Sequence, residues 1–576
     1  MRARTLLGLS VLVSIPGLVS VSCVDDGDPT PAASLDASAL DVAVADSGAS
    51  DTSTPDTSTP DTSTPDTSTP DDAGVDAADD TGIVDASVDA DAADAADAAD
   101  ANGPQPGDIF VNATAGSDSA TGVQGDPFKT LTKAMATVTA GHTVWLEDGT
   151  WTPAIDAPLG AANAAPPCSG KGVVIPVGVA VRAVNPGNAI VSFNGSNAFC
   201  TTGAVTLSGF EIHRTAGGGV GLYMSGGTST IDGVLFSGVT GGYDYDIFDV
   251  VNGAKVTMTP GGRARYVSAC GAAVVVKDTG SELTVTGGAF DDAHYSIISR
   301  ASHLQVTSGA KLVLTNVDLA RPATETAPQA LQGIYATDST VELRGTTKVH
   351  GFVSGTGLFI GYNTTVLVTD STEIYANPWG IFLSGWGTAG VVSPVTLSGN
   401  ASVHNNTSGG IRGDYVNGHK ADLTIAGNAS VSNNTGTGIE YSGGTFTMTG
   451  GSVNGNSTSG IIVATALTSF SMHNASVVGN PSFGLRIGAF TGTADLGTKA
   501  SPGNNTITGA SGNTNIRVER DGVTAVGNTW DPNVQGTDAM GKVPSPDGGI
   551  VEITGPVNGK NFQVVSTGHK LRIAEP

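Results

Sequence analysis

The chain has 576 residues, 39% hydrophobic and only 5% aromatic, with 80 glycines; so few large side chains argue against one ordinary compact globule and favour a repetitive, narrow-cored architecture. The formal net charge is −27, but 21 Asp and no Lys or Arg lie between Val24 and Gly107, while Asp108 to Pro576 carries 32 acids against 24 bases, or −8 (24 − 32). Neither part has the basic stripe that nucleic-acid binding requires, so that class is excluded.

Arg2 and Arg4 precede an apolar run from Leu6 to Val21 that reaches Cys23 through small residues. This is the layout of a secretory signal, too short for a membrane span. Ser20-Val21-Ser22-Cys23 resembles a bacterial lipoprotein signal, which implies removal of 1–22, lipidation of Cys23 and anchoring at the cell envelope, at the outer membrane or cell surface. Ordinary cleavage and free secretion is the alternative. Residues 23–107 contain "DTSTPDTSTPDTSTPDTSTP" and "DADAADAADAADA"; high charge with almost no large apolar residues predicts a disordered tether, extended by self-repulsion and proline. Its expected job is to hold the body off a membrane.

The body opens with a strand-like "IFVNATAGSD". In "DPFKTLTKAMATVTA", Leu131, Ala134, Met135 and Val138 fall at helical spacing after the Asp126-Pro127 start signal, which predicts a short helix. "GHTVWLEDGTW" follows as strand and turn. The remainder is short β-prone runs such as "AVTLSGFEI", "KLVLTNVDL" and "DLTIAGNAS", separated by Gly, Asn, Ser and Thr.

Periodicity decides the architecture. A β-branched residue, two variable positions and an Asn recur as "IYAN" (374–377), "VHNN" (403–406), "VSNN" (431–434), "VNGN" (453–456) and "VVGN" (477–480), at Asn steps of 29, 28, 22 and 24 residues. Each is followed by Gly and an aliphatic, from Gly380-Ile381 to Gly484-Leu485. Such a repeat predicts an all-β, single-stranded parallel β-helix. Val and Ile would line a continuous core, Asn would take the bend because it tolerates left-handed backbone and stacks on its neighbours, and Gly would supply the other corner. The helix near 131 would cap the N-terminal end.

Three cysteines remain in the body, and in an exported protein an odd count leaves at least one unpaired. The 32-residue gap between Cys168 and Cys200 is about one coil and the 70-residue gap to Cys270 nearer three, so Cys168–Cys200 is the expected disulfide and Cys270 the buried free thiol.

"VNATAGSD", "DPFKTLTKA", "GHTVWLEDGTW", the central Asn/Gly coils, "LGTKASPGNNT" (496–506) and "VGNTW" (526–530) resemble the bacterial domain of unknown function 1565, which is similar in turn to pectin-lyase-like right-handed β-helices. The resemblance covers most of 108–531 and implies a fold, with no activity attached. The expected organisation is a signal peptide (1–22), a tether (23–107), an N-terminal cap (108–150), parallel β-helix coils (151–531), and C-terminal strands or a cap (532–576).

Many β-helix proteins of this wider class act on acidic or plant polysaccharides, so lyase and glycoside-hydrolase readings are tested on residues. A hydrolase needs two or three carboxylates around one bond; "GAFDDAHYSIISR" offers Asp291, Asp292, His294 and Arg300, and aligning Phe290 with Val403 puts Asp291 and Asp292 on the corner of His404 and Asn405. A lyase needs a Ca²⁺ cage and an Arg or Lys base; "GGYDYDIFD" offers Asp244, Asp246 and Asp249, with Arg263, Arg265 or Arg300 as base, and Ca²⁺ is expected only if loops bring these groups to Asp291 and Asp292. For binding, sugar rings stack on aromatics, and "IYANPWGIFLSGWG" supplies Tyr375, Trp379 and Trp386, with Tyr362 one strand earlier. Structural readings compete at each place: solvated acidic corners, and Trp379 packing the Asn377-Pro378 turn. The leading expectation is a monomeric, lipid-anchored surface protein that binds a polysaccharide or extracellular matrix without catalysis. A polysaccharide lyase or glycoside hydrolase is the rival, a structural envelope protein the third reading.

Overall fold

A computed structural model describes residues 103–530, except 161–167, 169–171, 195–196, 217–218, 239–245, 269–273, 292–301, 322–331, 354, 385–390, 415–419, 499, 510–513, 521–522 and 526, together with four short strands between 542 and 572. Each turn of the chain lays one strand on each of three walls. Val392–Leu397 lies on the first wall, Ser402–His404 on the third, and Gly409–Gly413 on the second. All strand pairings are parallel except one terminal hairpin, Lys542–Pro544 with Ile550–Glu552, among the described residues. The fold is a parallel β-solenoid.

Like side chains stack coil on coil. On the second wall Ile381 pairs with Ile411, Ile439 and Ile461 in turn; on the third Ile374 pairs with Val403, Val431 and Val453. These columns point inward and are fully buried. A strand spacing of about 4.8 Å lets each β-branched chain rest on the one below, so a narrow core stays continuous without many aromatics.

The ladder asparagines close the corner between the third and second walls. Asn377, Asn406, Asn434, Asn456 and Asn480 are buried. The Asn406 Nδ2 donates to Asn434 Oδ1 at 2.8 Å and to the Ile374 carbonyl at 3.3 Å, while Asn434 Oδ1 also accepts the Asn406 backbone N–H at 3.0 Å. Each side chain thus satisfies buried backbone groups that the bend leaves without a strand partner. The left-handed residue is the one before the ladder Asn, not the Asn itself: Ala376, Asn405 and Asn433 have φ of 55°, 53° and 54°. Glycine at the next corner answers to space as well: a Cβ on Gly410 would stand 2.4 Å from Val431 Cγ1 and 2.5 Å from the Gly438 carbonyl.

The helix runs from Leu131 to Thr137 and buries Leu131, Ala134 and Met135. It starts three residues later than Phe128, because Phe128 bridges to Val111 and Thr130 caps the helix, its hydroxyl accepting from the Lys133 N–H at 3.1 Å. Ile109–Val111 pairs in parallel with Thr143–Leu146, and that strand with Ala180–Ala183, so the segment before 151 already contributes rungs. At the other end Phe562–Val564 pairs with Ile516–Val518 and Leu571–Arg572 with Val523–Thr524. Cys168 and Cys200 are joined, with Cα atoms 5.5 Å apart. No helix among the described residues is long and apolar enough to cross a membrane.

Candidate functional site

On the third wall, the residue just after the inward Val or Ile points outward. The register Phe290–Leu319–Val349–Ile374–Val403 therefore sets Asp291, Ala320, His350, Tyr375 and His404 in one outward column, the alignment of Asp291 with His404 expected from sequence. Two residues earlier on each strand, a parallel column carries Asp318, Lys348, Glu373 and Ser402.

Three successive rungs of the first column are rings. His350 and Tyr375 stand 4.6 Å apart at 9°, Tyr375 and His404 5.2 Å apart at 7°. Nearly parallel rings cannot lie edge to edge so closely, so their faces meet and their edges face solvent. Tyr375 thus has no face to offer a sugar; its hydroxyl is what it presents. His350 Nε2 lies 2.8 Å from Asp318 Oδ1, His404 Nε2 lies 3.8 Å from Glu373 Oε1, and Lys348 Nζ lies 4.0 Å from Glu373 Oε2. The Asn405 amide meets His404 Nδ1 at 3.0 Å. Burial pushes the Tyr375 hydroxyl above its ordinary range, and Asp318 and Glu373 add to the rise; the phenol keeps its proton. Burial lowers the His404 pKa, against an opposing pull from Glu373, so its imidazole is neutral at neutral pH.

The second wall, just past the Asn corner, spends its aromatics differently. Tyr335 and Phe359 stack at 5.2 Å, Phe359 meets Phe382 at 5.5 Å, and the Arg412 guanidinium lies 5.8 Å from Phe382 and 5.6 Å from Trp379. Trp379 lies over Gly409, where a Cβ would stand 2.3 Å from Trp379 Cζ3. Arg412 Nε donates to Asp414 at 2.9 Å.

The remaining sequence candidates scatter. Asp246 and Asp249 are buried, Asp249 on the second wall in register with Tyr223 and Val275. Asp291 lies 3.4 Å from Arg265. Arg263 clamps coils together instead of standing ready as a base, its Nε donating to the Gly233 carbonyl at 2.6 Å. Asp244, Asp292, His294, Arg300, Trp386, Cys270 and Cys23 lie outside the described residues. Among the described residues no three His, Cys, Asp or Glu side chains are placed to hold a metal ion.

His350, Lys348 and Asp318 escape sequence reading because the "VxxN" frame weakens upstream of 374; the "KVHG" at 348–351 carries the signal without the Asn. Upstream on the same wall, His213 Nδ1 lies 2.7 Å from Ser237 Oγ, which donates to Glu211. Carboxylate and imidazole meet one buried hydroxyl there, so the imidazole does not relay between them.

Residues 114–280 match the model of a protein family of unknown function, DUF1565. The match ends before the ring column begins. Among solved structures the chain is similar to a rhamnogalacturonan lyase (13% identity, 70% of this chain and 87% of that one, TM-score 0.27). An alginate lyase, AlyF-OU02 with G6, gives 12%, 81%, 96% and 0.28, and the periplasmic alginate epimerase AlgG gives 12%, 73%, 84% and 0.19. Likeness this low assigns no activity to this chain. No curated protein matches it.

Proposed function

We propose that the protein is a cell-surface glycan-binding β-helix, held through Cys23 and its acidic tether, that lays an extended sugar chain along the third wall. The observation behind this reading is the column His350–Tyr375–His404: three polar ring edges, one per coil, beside Asp318, Lys348 and Glu373. The coil rise of about 4.8 Å is comparable to one residue of an extended polysaccharide, so a chain parallel to the helix axis meets a fresh set of donors and acceptors at each sugar. Hydroxyl-rich ligands are recognised by such directional groups, since a site that hydrogen-bonds an O–H rejects an analogue lacking it.

A catalytic reading, lyase or hydrolase, has one observation on its side: the Asp318–His350 pair at 2.8 Å next to a phenol is the kind of pairing that tunes a general base. A glycan array probed with the whole protein, followed by assays for new reducing ends and unsaturated products on each hit, tests both. Binding without product supports the lead, binding with product replaces it by the enzyme, and no binding removes both.

A further inference from the structure

The charges of the third wall narrow the ligand. Resting on the glycan-binding reading above, we infer that the sugar chain is a cationic amino-sugar polymer, bound through its ammonium groups by Asp318 and Glu373.

These two carboxylates stand in one column, with Lys348 between them. Two coil rises separate them by about 10 Å. In an extended chain whose successive residues are flipped, a given substituent returns to the same face at every second residue, which is the spacing of these acids. Both are open to solvent, with side chains 46% and 39% exposed.

Among the described residues, the cations facing them are paired with acids of the same wall. Lys348 lies against Glu373 and Arg265 against Asp291, and Arg321, at the end of the Asp318 strand, is only 9% exposed. His404 adds no charge at neutral pH, because burial favours its neutral form. Among the described residues of this stretch, three carboxylates, Asp291, Asp318 and Glu373, stand against two fixed cations, Arg265 and Lys348.

The long-range field points the same way. The body carries −8 (24 − 32) and the tether 21 Asp without a cation, so a polyanion approaches against repulsion and a polycation is drawn in. The hydroxyl of Tyr375 and the imidazole edges then serve the ring hydroxyls between the charged positions.

Calorimetry of the whole protein with three 1,4-linked hexamers tests this: fully deacetylated glucosamine, its fully acetylated form, and a uronate. The deacetylated hexamer should bind about tenfold tighter than the acetylated one, with the uronate weakest. The double variant Asp318→Asn with Glu373→Gln should abolish the preference for the deacetylated hexamer over the acetylated one. Tighter uronate binding, equal affinity for the first two, or a preference that survives the double variant would overturn the ligand class and leave glycan binding standing. If none of the hexamers binds, the glycan-binding reading itself fails.

Discussion

Two columns of the same repeat, two residues apart, have opposite fates. Tyr375 and Asn377, or His404 and Asn406, ride on the same strand ends with the same coil spacing, yet the asparagines are fully buried and the rings partly exposed. The asparagine column spends its amides on the fold, each serving its neighbour and a carbonyl one coil back. The ring column spends only its faces, on one another, and keeps its polar edges outside. Repetition alone therefore does not mark a binding site; the direction in which the repeated polar atoms point does.

The sharpest break in this contrast is Asn434→Ala. It orphans the Asn406 N–H, leaves Asn406 Nδ2 with only the Ile374 carbonyl and takes the side-chain donor from the Val403 carbonyl, so unfolding in urea should register a loss on the order of 3 kcal/mol or more. Tyr375→Phe keeps the stacked ring and removes only the hydroxyl; glycan affinity should fall about five- to tenfold, near 1 kcal/mol, with the urea midpoint unchanged. A large stability loss there would place the ring column in the fold's own service.

On the second wall, Gly409→Ala should push the Trp379 ring aside, because the new Cβ meets the far end of a side chain and not backbone alone. The readout is a shift in tryptophan emission with a stability change of roughly 1 kcal/mol.

The smallest effect belongs to His404. Its folded pKa is lowered, so the unfolded chain takes up the proton first. Its contribution to stability is complete above the ordinary histidine value of about 6.5 and declines as pH falls toward the folded pKa. The melting temperature of the wild type should drop slightly across that window relative to His404→Gln. An equal pH response in both would remove the buried-imidazole account.

The architecture was readable because one column demands one residue type. "VHNN" and "VSNN" fix Val403, Asn406, Val431 and Asn434 at rungs, and the chain places them there. The left-handed residue could not be assigned so easily, since Asn405 and Asn406 look alike in sequence and only burial separates them. The site was harder still. Outward positions obey no repeat: Tyr375 was visible as an aromatic and His404 as a corner residue, while His350 and the stacking of all three rings were not. Aromatic clustering in "IYANPWGIF" pointed to one surface, whereas the Asn corner sends Tyr375 and Trp379 to different walls.

The most direct measurement compares Tyr375→Phe with Phe359→Leu, one residue from each wall, by affinity for the same polysaccharide using the whole protein. If the polar ring edges of the third wall read the ligand, Tyr375→Phe weakens binding, whereas Phe359→Leu, which removes a ring lying between Tyr335 and Phe382, leaves it unchanged. Loss with Phe359→Leu and none with Tyr375→Phe would move recognition to the second wall and contradict the account.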